Sequence, residues 1–247
     1  MIEIKQLTKR YGKCVALDHV DLKLPRGEIV GLFGENGAGK TTLIKSILNL
    51  VRYDGAITLD GAPIDRSTIA KLSFATCEHS FFPGLNPRDH ALFYEDHFPT
   101  FSRQRFEGLM DFFDLPMGKA LRAFSTGQKN QFEVIMALSQ GADYILMDDP
   151  FAGSDIFNRD DFYKVLLGIL EPHETVLLST HLIQEVAGFI GRAVLIRRGR
   201  IVGDVTVDEL EEAGTNLIDY IRDSYDRPAH RVARALEQIT GDREEEG

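Results

Sequence analysis

Residues 29–48 read IVGLFGENGAGKTTLIKSIL. The apolar run Ile29–Phe33 predicts a buried strand, and Leu43–Leu48 has the spacing of a helix. Strand, glycine-rich turn and helix form the setting in which the pattern G-x-x-x-x-G-K-[ST] cradles phosphate, and Gly34, Gly39, Lys40 and Thr41 meet that pattern. Glycines let the backbone curl so that successive N–H groups face phosphate oxygens. The following helix adds its free N–H groups and the positive end of its dipole. Lys40 can then reach the β- and γ-phosphates, and the Thr41 hydroxyl can ligate Mg²⁺. Gly34, Glu35, Asn36, Gly37, Ala38, Gly39, Lys40, Thr41 and Thr42 are therefore expected to form a nucleotide-phosphate site.

The rest of the composition narrows the function classes. A chain of 247 residues, 43% hydrophobic and 27% charged, suits one large domain or a core with a smaller lobe. Its net charge of −10 offers no broad attraction for nucleic acid, so no nucleic-acid partner is expected. Phosphate must be drawn in locally, against the global sign. Cys14 and Cys77 lack the spacing of a metal motif, and reduced cytosolic thiols are the expectation. The N-terminus MIEIKQLTKRYGK lacks a signal-peptide core, and no run approaches the ~20 apolar residues of a membrane span. A role at a membrane would need another chain to supply the bilayer part.

Outward from the phosphate loop, residues Met1–Leu24 alternate in short bursts, as antiparallel strands with one buried face do, with Tyr11-Gly12 in the turn. Asp54-Gly55 and Asp60-Gly61 bracket a short strand at Ala56–Leu59, and another is expected at Leu72–Ala75. From Asn86 to Gln140 the pattern is helical, opening on a cap residue followed by Pro87 and interrupted by Pro99 and Pro116. The core resumes at Tyr144–Met147, ending in Asp148-Asp149-Pro150. A helix near Asn158–Leu170, a strand at Thr175–Ser179 and a hairpin from Ala193–Arg197 to Arg200–Val205 follow. Val207–Gly247 reads as helical and acidic, with a disordered end. The expected division is an α/β core at 1–76 and 141–206, a helical lobe at 77–140, and a C-terminal extension at 207–247 with an acidic tail.

Four further segments bear chemistry. Phe124-Ser125-Thr126-Gly127-Gln128 opens a helix, a second phosphate-binding surface redundant with the first unless it serves another molecule. The strand-end pair Asp148-Asp149 can hold Mg²⁺ and orient an attacking water. Gly153-Ser154-Asp155 lies just past Pro150, and Ser179-Thr180-His181 puts a histidine at another strand end. Singly they are ordinary turns and strand ends. In this order, with Tyr11, they resemble the motif series of the ATP-binding-cassette (ABC) ATPases over about residues 1–205.

That resemblance implies a P-loop NTPase core with an N-terminal antiparallel β subdomain and an inserted helical subdomain, an α/β fold using ATP and Mg²⁺. Tyr11 would stack on adenine, and Gly34–Thr42 would be the Walker A loop with Lys40 on the phosphates. Ser125, Thr126, Gly127 and Gln128 would be the signature, with Thr126 where the family has glycine. Thr41 and Asp148, the latter the Walker B aspartate, would hold Mg²⁺. Asp149 would be the base, Asp155 would belong to the D-loop, and His181 would contact the γ-phosphate. Two cassettes then face head to tail, each signature closing over the other's ATP, which removes the redundancy. Two departures stand out: Asp149 replaces the usual Glu, and the usual Mg²⁺-binding Gln is replaced by Cys77 or, with a slip of one residue, Glu78.

The resemblance further implies an ATPase subunit on the cytoplasmic face of the cell membrane, paired with a second ABC ATPase subunit and a separate integral-membrane permease. Only 85 positions separate Lys40 from Ser125, as in compact bacterial export cassettes. A soluble, non-transport ABC ATPase and a slow-hydrolysing ATP-gated binding module remain the alternatives. Phe81-Phe82 and Asn86–Phe98 are the expected permease-facing surface, or else the lobe's own aromatic core.

Overall fold

A computed structural model describes residues 1–76, 78–150, 157–181 and 183–225. Cys77, Gly153–Asp155 and the expected disordered tail therefore lie outside the described residues. The strands are β1 (Ile2–Tyr11), β2 (Cys14–Leu24), β3 (Ile29–Phe33), β4 (Asp54–Leu59), β5 (Ala62–Pro63), β6 (Leu72–Thr76), β7 (Tyr144–Asp148), β8 (Thr175–Ser179), β9 (Arg192–Arg197) and β10 (Arg200–Thr206). They form two sheets, one ordered β2-β1-β4-β5 and antiparallel, the other ordered β10-β9-β3-β8-β7-β6. In the second sheet β9, β3, β8, β7 and β6 run parallel, and only β10 is antiparallel.

Burial explains the division. Strand β8 is buried along its whole length, and β7 from Tyr144 to Met147, as strands covered on both faces must be. Strands β1 and β2 instead alternate, with Ile2, Ile4, Leu22 and Leu24 buried and Glu3, Lys5, Asp21 and Lys23 outside that core. Their inner face meets β3, the start of β7 and helix α1 (Lys40–Ile47) in one apolar core. The hairpin turn is Gly12-Lys13. Tyr11, expected within it, instead ends β1 paired to Cys14.

The opposite face of the parallel sheet carries the helical lobe: α2 (Pro87–His97), α3 (Arg103–Phe112) and α4 (Thr126–Ser139). Asn86 caps α2 by accepting the Asp89 N–H at 3.0 Å, with Pro87 at the first position, as the sequence suggests. Beyond β7 lie α5 (Phe157–Ile169) and the short α6 (Ile183–Val186). The C-terminal part continues as α7 (Val207–Glu212) and α8 (Leu217–Ser224).

Buried polar groups join the lobe to the core. Gln140 donates to the carbonyl of Leu72 at 2.9 Å. On α3, Arg105 donates to the carbonyls of Leu138 and Ile169 and to the Glu174 carboxylate, at 2.9, 2.6 and 2.8 Å. On α4, Glu133 is only 2% exposed, and its carboxylate accepts the N–H groups of Thr76 at 3.3 Å and Ser80 at 2.8 Å. Burial pushes its carboxyl up from 4.5 to about 7, against the pull of those two N–H groups.

Two predictions follow from these charges. Truncating Arg105 strands the Glu174 carboxylate, whose side chain is 3% exposed, so Arg105→Ala should cost about 3–5 kcal/mol in urea unfolding. Arg103→Ala, which loses a surface pair with Glu95, should cost under about 1 kcal/mol. Equal midpoints for the two variants would show that Arg105 is not a link between lobe and core. For Glu133, the folded chain keeps a proton between pH ~4.5 and ~7 that the unfolded chain has released. Stability should therefore fall as pH rises through that window and level off above it, by roughly 3 kcal/mol relative to Glu133→Gln. Parallel stability–pH curves for wild type and Glu133→Gln would contradict this.

Candidate functional site

The parallel strands end in register. Leu32 pairs with Ser179, Ser179 with Asp148, and Asp148 with Thr76. The loops after β3, β8, β7 and β6 therefore leave from one edge of the sheet, the usual place for a ligand crevice in parallel α/β folds.

The loop after β3 is the phosphate loop. Gly39 caps α1 at φ 117°, and a Cβ there would also lie 2.7 Å from the carbonyl oxygen of Ala16. At Gly34 an added Cβ would lie 2.7 Å from the carbonyl oxygen of Ile196, so the loop enters pressed against β9. Its crest, Glu35–Gly37, faces solvent. Lys40 is buried and donates from Nζ to the carbonyls of Gly34 at 2.8 Å and Glu35 at 3.3 Å, which sets its ammonium at the mouth of the loop. An exposed crest, a helix start without a side-chain cap and a lysine folded over it fit a polyphosphate. Thr41, beside Lys40, is exposed and free of core packing.

At the next strand ends, Ser179 Oγ donates to Asp148 Oδ1, and Asp149 N–H donates to the carbonyl of Ser179 at 3.0 Å. Asp149 adopts φ 45°, a left-handed conformation that aspartate tolerates better than most residues. The turn aims its Oδ1 at His181 Nδ1, 3.2 Å away. The structure thus brings Asp148, Asp149 and His181 together. Among the described residues no three His, Cys, Asp or Glu side chains gather as a resident metal site would need. Of the two alternatives for the missing Gln, Glu78 is turned to α1, where it accepts from Lys45 Nζ at 2.6 Å.

Tyr11 stands 48% exposed at the hairpin end, with Lys9 Nζ 4.6 Å over its ring. The hairpin's second strand reaches Gly39 at Ala16.

The signature-like segment is placed elsewhere. Ser125 caps α4, accepting the Gln128 N–H at 3.2 Å, while Gln128 Oε1 accepts the Ser125 N–H at 3.0 Å. The Gln128 side-chain oxygen is thereby turned back on its own helix start, and Ser125 and Thr126 are exposed. Helix α4 packs against β6, three strand positions from β3, or roughly 14 Å at ~4.8 Å per strand. Helix α4 thus packs on a strand well removed from the one that feeds the phosphate loop.

Two site residues escape a reading of the sequence. Tyr225, after α8, donates its hydroxyl to the carbonyls of Phe33 at 3.0 Å and Ile196 at 3.2 Å, the backbone on either side of Gly34. With Ile218 and Ile221 it walls a cavity of about 380 Å³ that also touches Glu35 and His181. No local pattern marks Tyr225. Glu133 did leave a signal: it is the one acid within the apolar run Phe132–Leu138.

Comparison with known proteins gives the family. A family model described as ABC transporter matches residues 17–152. The daunorubicin resistance ATP-binding protein DrrA3 of Streptomyces coeruleorubidus is 30% identical over 89% of this chain and 73% of its own length. A solved ATP-binding subunit of an ABC transporter shares the fold with a TM-score of 0.81 at 23% identity, over 92% of this chain and 100% of that one. A dimeric post-hydrolysis cassette bound to ADP and Pi shares it with a TM-score of 0.73 at 22% identity, over 83% and 98%. The family model covers more than half of the chain and the relatives span most of it, so the chain belongs to the ATP-binding ATPase family of ABC transporters.

Proposed function

We propose that this chain is the ATP-binding and ATP-hydrolysing subunit of a transporter, two copies closing around two ATP molecules to drive a separate membrane permease. The observation that carries the reading is the separation of Ser125–Gln128 from the phosphate loop. Both segments are exposed and sit on different elements, so a second copy arranged head to tail can supply over each phosphate loop what one copy lacks there. A second ATPase chain of similar design would serve equally.

In this reading Lys40 and the loop N–H groups bind the β- and γ-phosphates, and the exposed face of Tyr11 stacks on adenine. Thr41 and Asp148 hold Mg²⁺, which when bound neutralises phosphate charge. His181 holds the γ-phosphate from one side while Ser125, Thr126, Gly127 and Gln128 of the other copy approach from the opposite side. Asp155 belongs to the segment that would pass between the copies.

Among the described residues no helix is long and apolar enough to cross a membrane. In this reading a separate permease spans the bilayer and the ATPase works on its cytoplasmic face. The surface offered to it is the aromatic patch on the lobe, where Phe82 is 57% and Leu92 52% exposed. Phe81 beneath them packs edge-on to Phe132 at 5.2 Å, so the segment contributes to both core and surface.

Asp149 favours a second reading, an ATP-gated module that closes readily and hydrolyses slowly. Aspartate is one methylene shorter than glutamate, and its carboxylate is engaged with His181. A shortfall of about 1 Å in a base can cost on the order of a hundredfold in rate.

Titration with Mg-ATP and sedimentation test the main reading together. Wild type should bind and shift from monomer to dimer under blocked hydrolysis, and Lys40→Ala should do neither. Wild-type affinity in Lys40→Ala would remove the phosphate-loop assignment. Single-turnover hydrolysis separates the two readings. Asp149→Glu should raise the rate at saturating ATP at least several-fold with little change in affinity, whereas equal or slower chemistry would show the short carboxylate to be a competent base.

A further inference from the structure

The loop between β6 and the aromatic patch is gripped by the signature helix. Glu133 lies two turns along α4 from Ser125, and its two carboxylate oxygens accept N–H groups four residues apart, at Thr76 and Ser80. Between these anchors His79 adopts φ 52°, and Glu78 reaches across to Lys45 on α1. Immediately after Ser80 comes Phe81, packed on Phe132, His90 and Tyr94 at 5.2, 5.4 and 6.1 Å, and then the exposed Phe82. The carboxylate also borders a small cavity of about 110 Å³ with His79, Phe81, Lys129 and Phe132.

A buried acid is an expensive way to fill a helix position, since leucine would pack there without desolvating a charge. What it supplies is a hydrogen-bond acceptor at each of its two oxygens, one for the N–H of Thr76 and one for that of Ser80, a directional link that leucine cannot make. Helix α4 is fourteen residues long and opens on a capping box. If it shifts as a unit, a displacement of its Ser125 end would reach the peptides of Thr76 and Ser80 through Glu133, and Phe82 through Phe132 and Phe81.

We propose that Glu133 is a positioning residue that clamps the 76–80 loop to α4, so that nucleotide engaged at Ser125–Gln128 moves the exposed Phe82 face as part of one rigid body. The proposal rests on the reading of Ser125–Gln128 as a nucleotide contact given above. It assigns transmission to a side chain that touches neither nucleotide nor partner.

Hydrogen exchange of the full chain, with and without Mg²⁺ and a non-hydrolysable ATP analogue, tests it, with binding of the analogue measured separately by titration. In wild type, segments 76–83 and 125–135 should change protection together when the analogue is added. In Glu133→Leu the analogue should still bind and 125–135 should still respond, while 76–83 exchanges about tenfold faster or more and no longer responds. Glu133→Gln, which keeps the shape and one acceptor, should fall between and serves if the leucine variant does not fold. Exchange in 76–83 that stays slow and nucleotide-responsive in both variants would overturn the clamp. So would a wild-type loop that ignores bound analogue. Failure of wild type to bind the analogue would instead overturn the nucleotide reading itself, and the clamp's function with it.

Discussion

The in-register ending of β3, β8, β7 and β6 is the constraint on which the site depends. Strand β8 is buried along its whole length and β3 and β7 nearly so, so a slip of one residue would carry apolar side chains into places shaped for their neighbours. Register is therefore set by the core and merely used by the site. With Leu32, Ser179, Asp148 and Thr76 in one row, Gly34, His181, Asp149 and the 76–80 loop all begin at the same edge. Chemistry contributed by residues more than a hundred positions apart is assembled by packing that has no chemistry of its own.

The seam between lobe and core obeys a different logic. Arg105, Gln140 and Glu133 are buried or nearly so, and each binds backbone groups of another element. Apolar side chains could fill these volumes at lower desolvation cost. Directional bonds to named carbonyls and amides instead permit one relative placement of α3, α4 and β6. A lobe that transmits motion needs that uniqueness, because an apolar seam could slide. Glu133 breaks the pattern of its own helix, and such local violations are where function is to be sought.

The C-terminal extension also reaches the site. Tyr225 bonds the carbonyls of Phe33 and Ile196 that flank Gly34, and α8 closes one side of the cavity beside His181. The phosphate loop is thus supported from three directions: by its own Lys40, by the Ala16 side of the hairpin, and by α8.

The sequence by itself determined whatever depends on contiguous backbone. Gly34–Thr42 was legible because a strand, a left-handed turn and a helix start need their residues in order. The Asn86-Pro87 opening of α2 and the Ser125 cap of α4 were legible for the same reason. The buried strands showed themselves as apolar runs, and the motif order from Tyr11 to His181 pointed to the family. Only the tertiary structure decided which strand lies beside which, that β3 sits between β9 and β8, and that α4 packs on β6, three strand positions from β3. It alone turned Asp149 onto His181, Glu78 onto Lys45, Glu133 onto Thr76 and Ser80, and Tyr225 onto Phe33. Those pairings join residues from 32 to 192 positions apart. They are set by burial and register across the whole chain, and local sequence patterns carry no record of them.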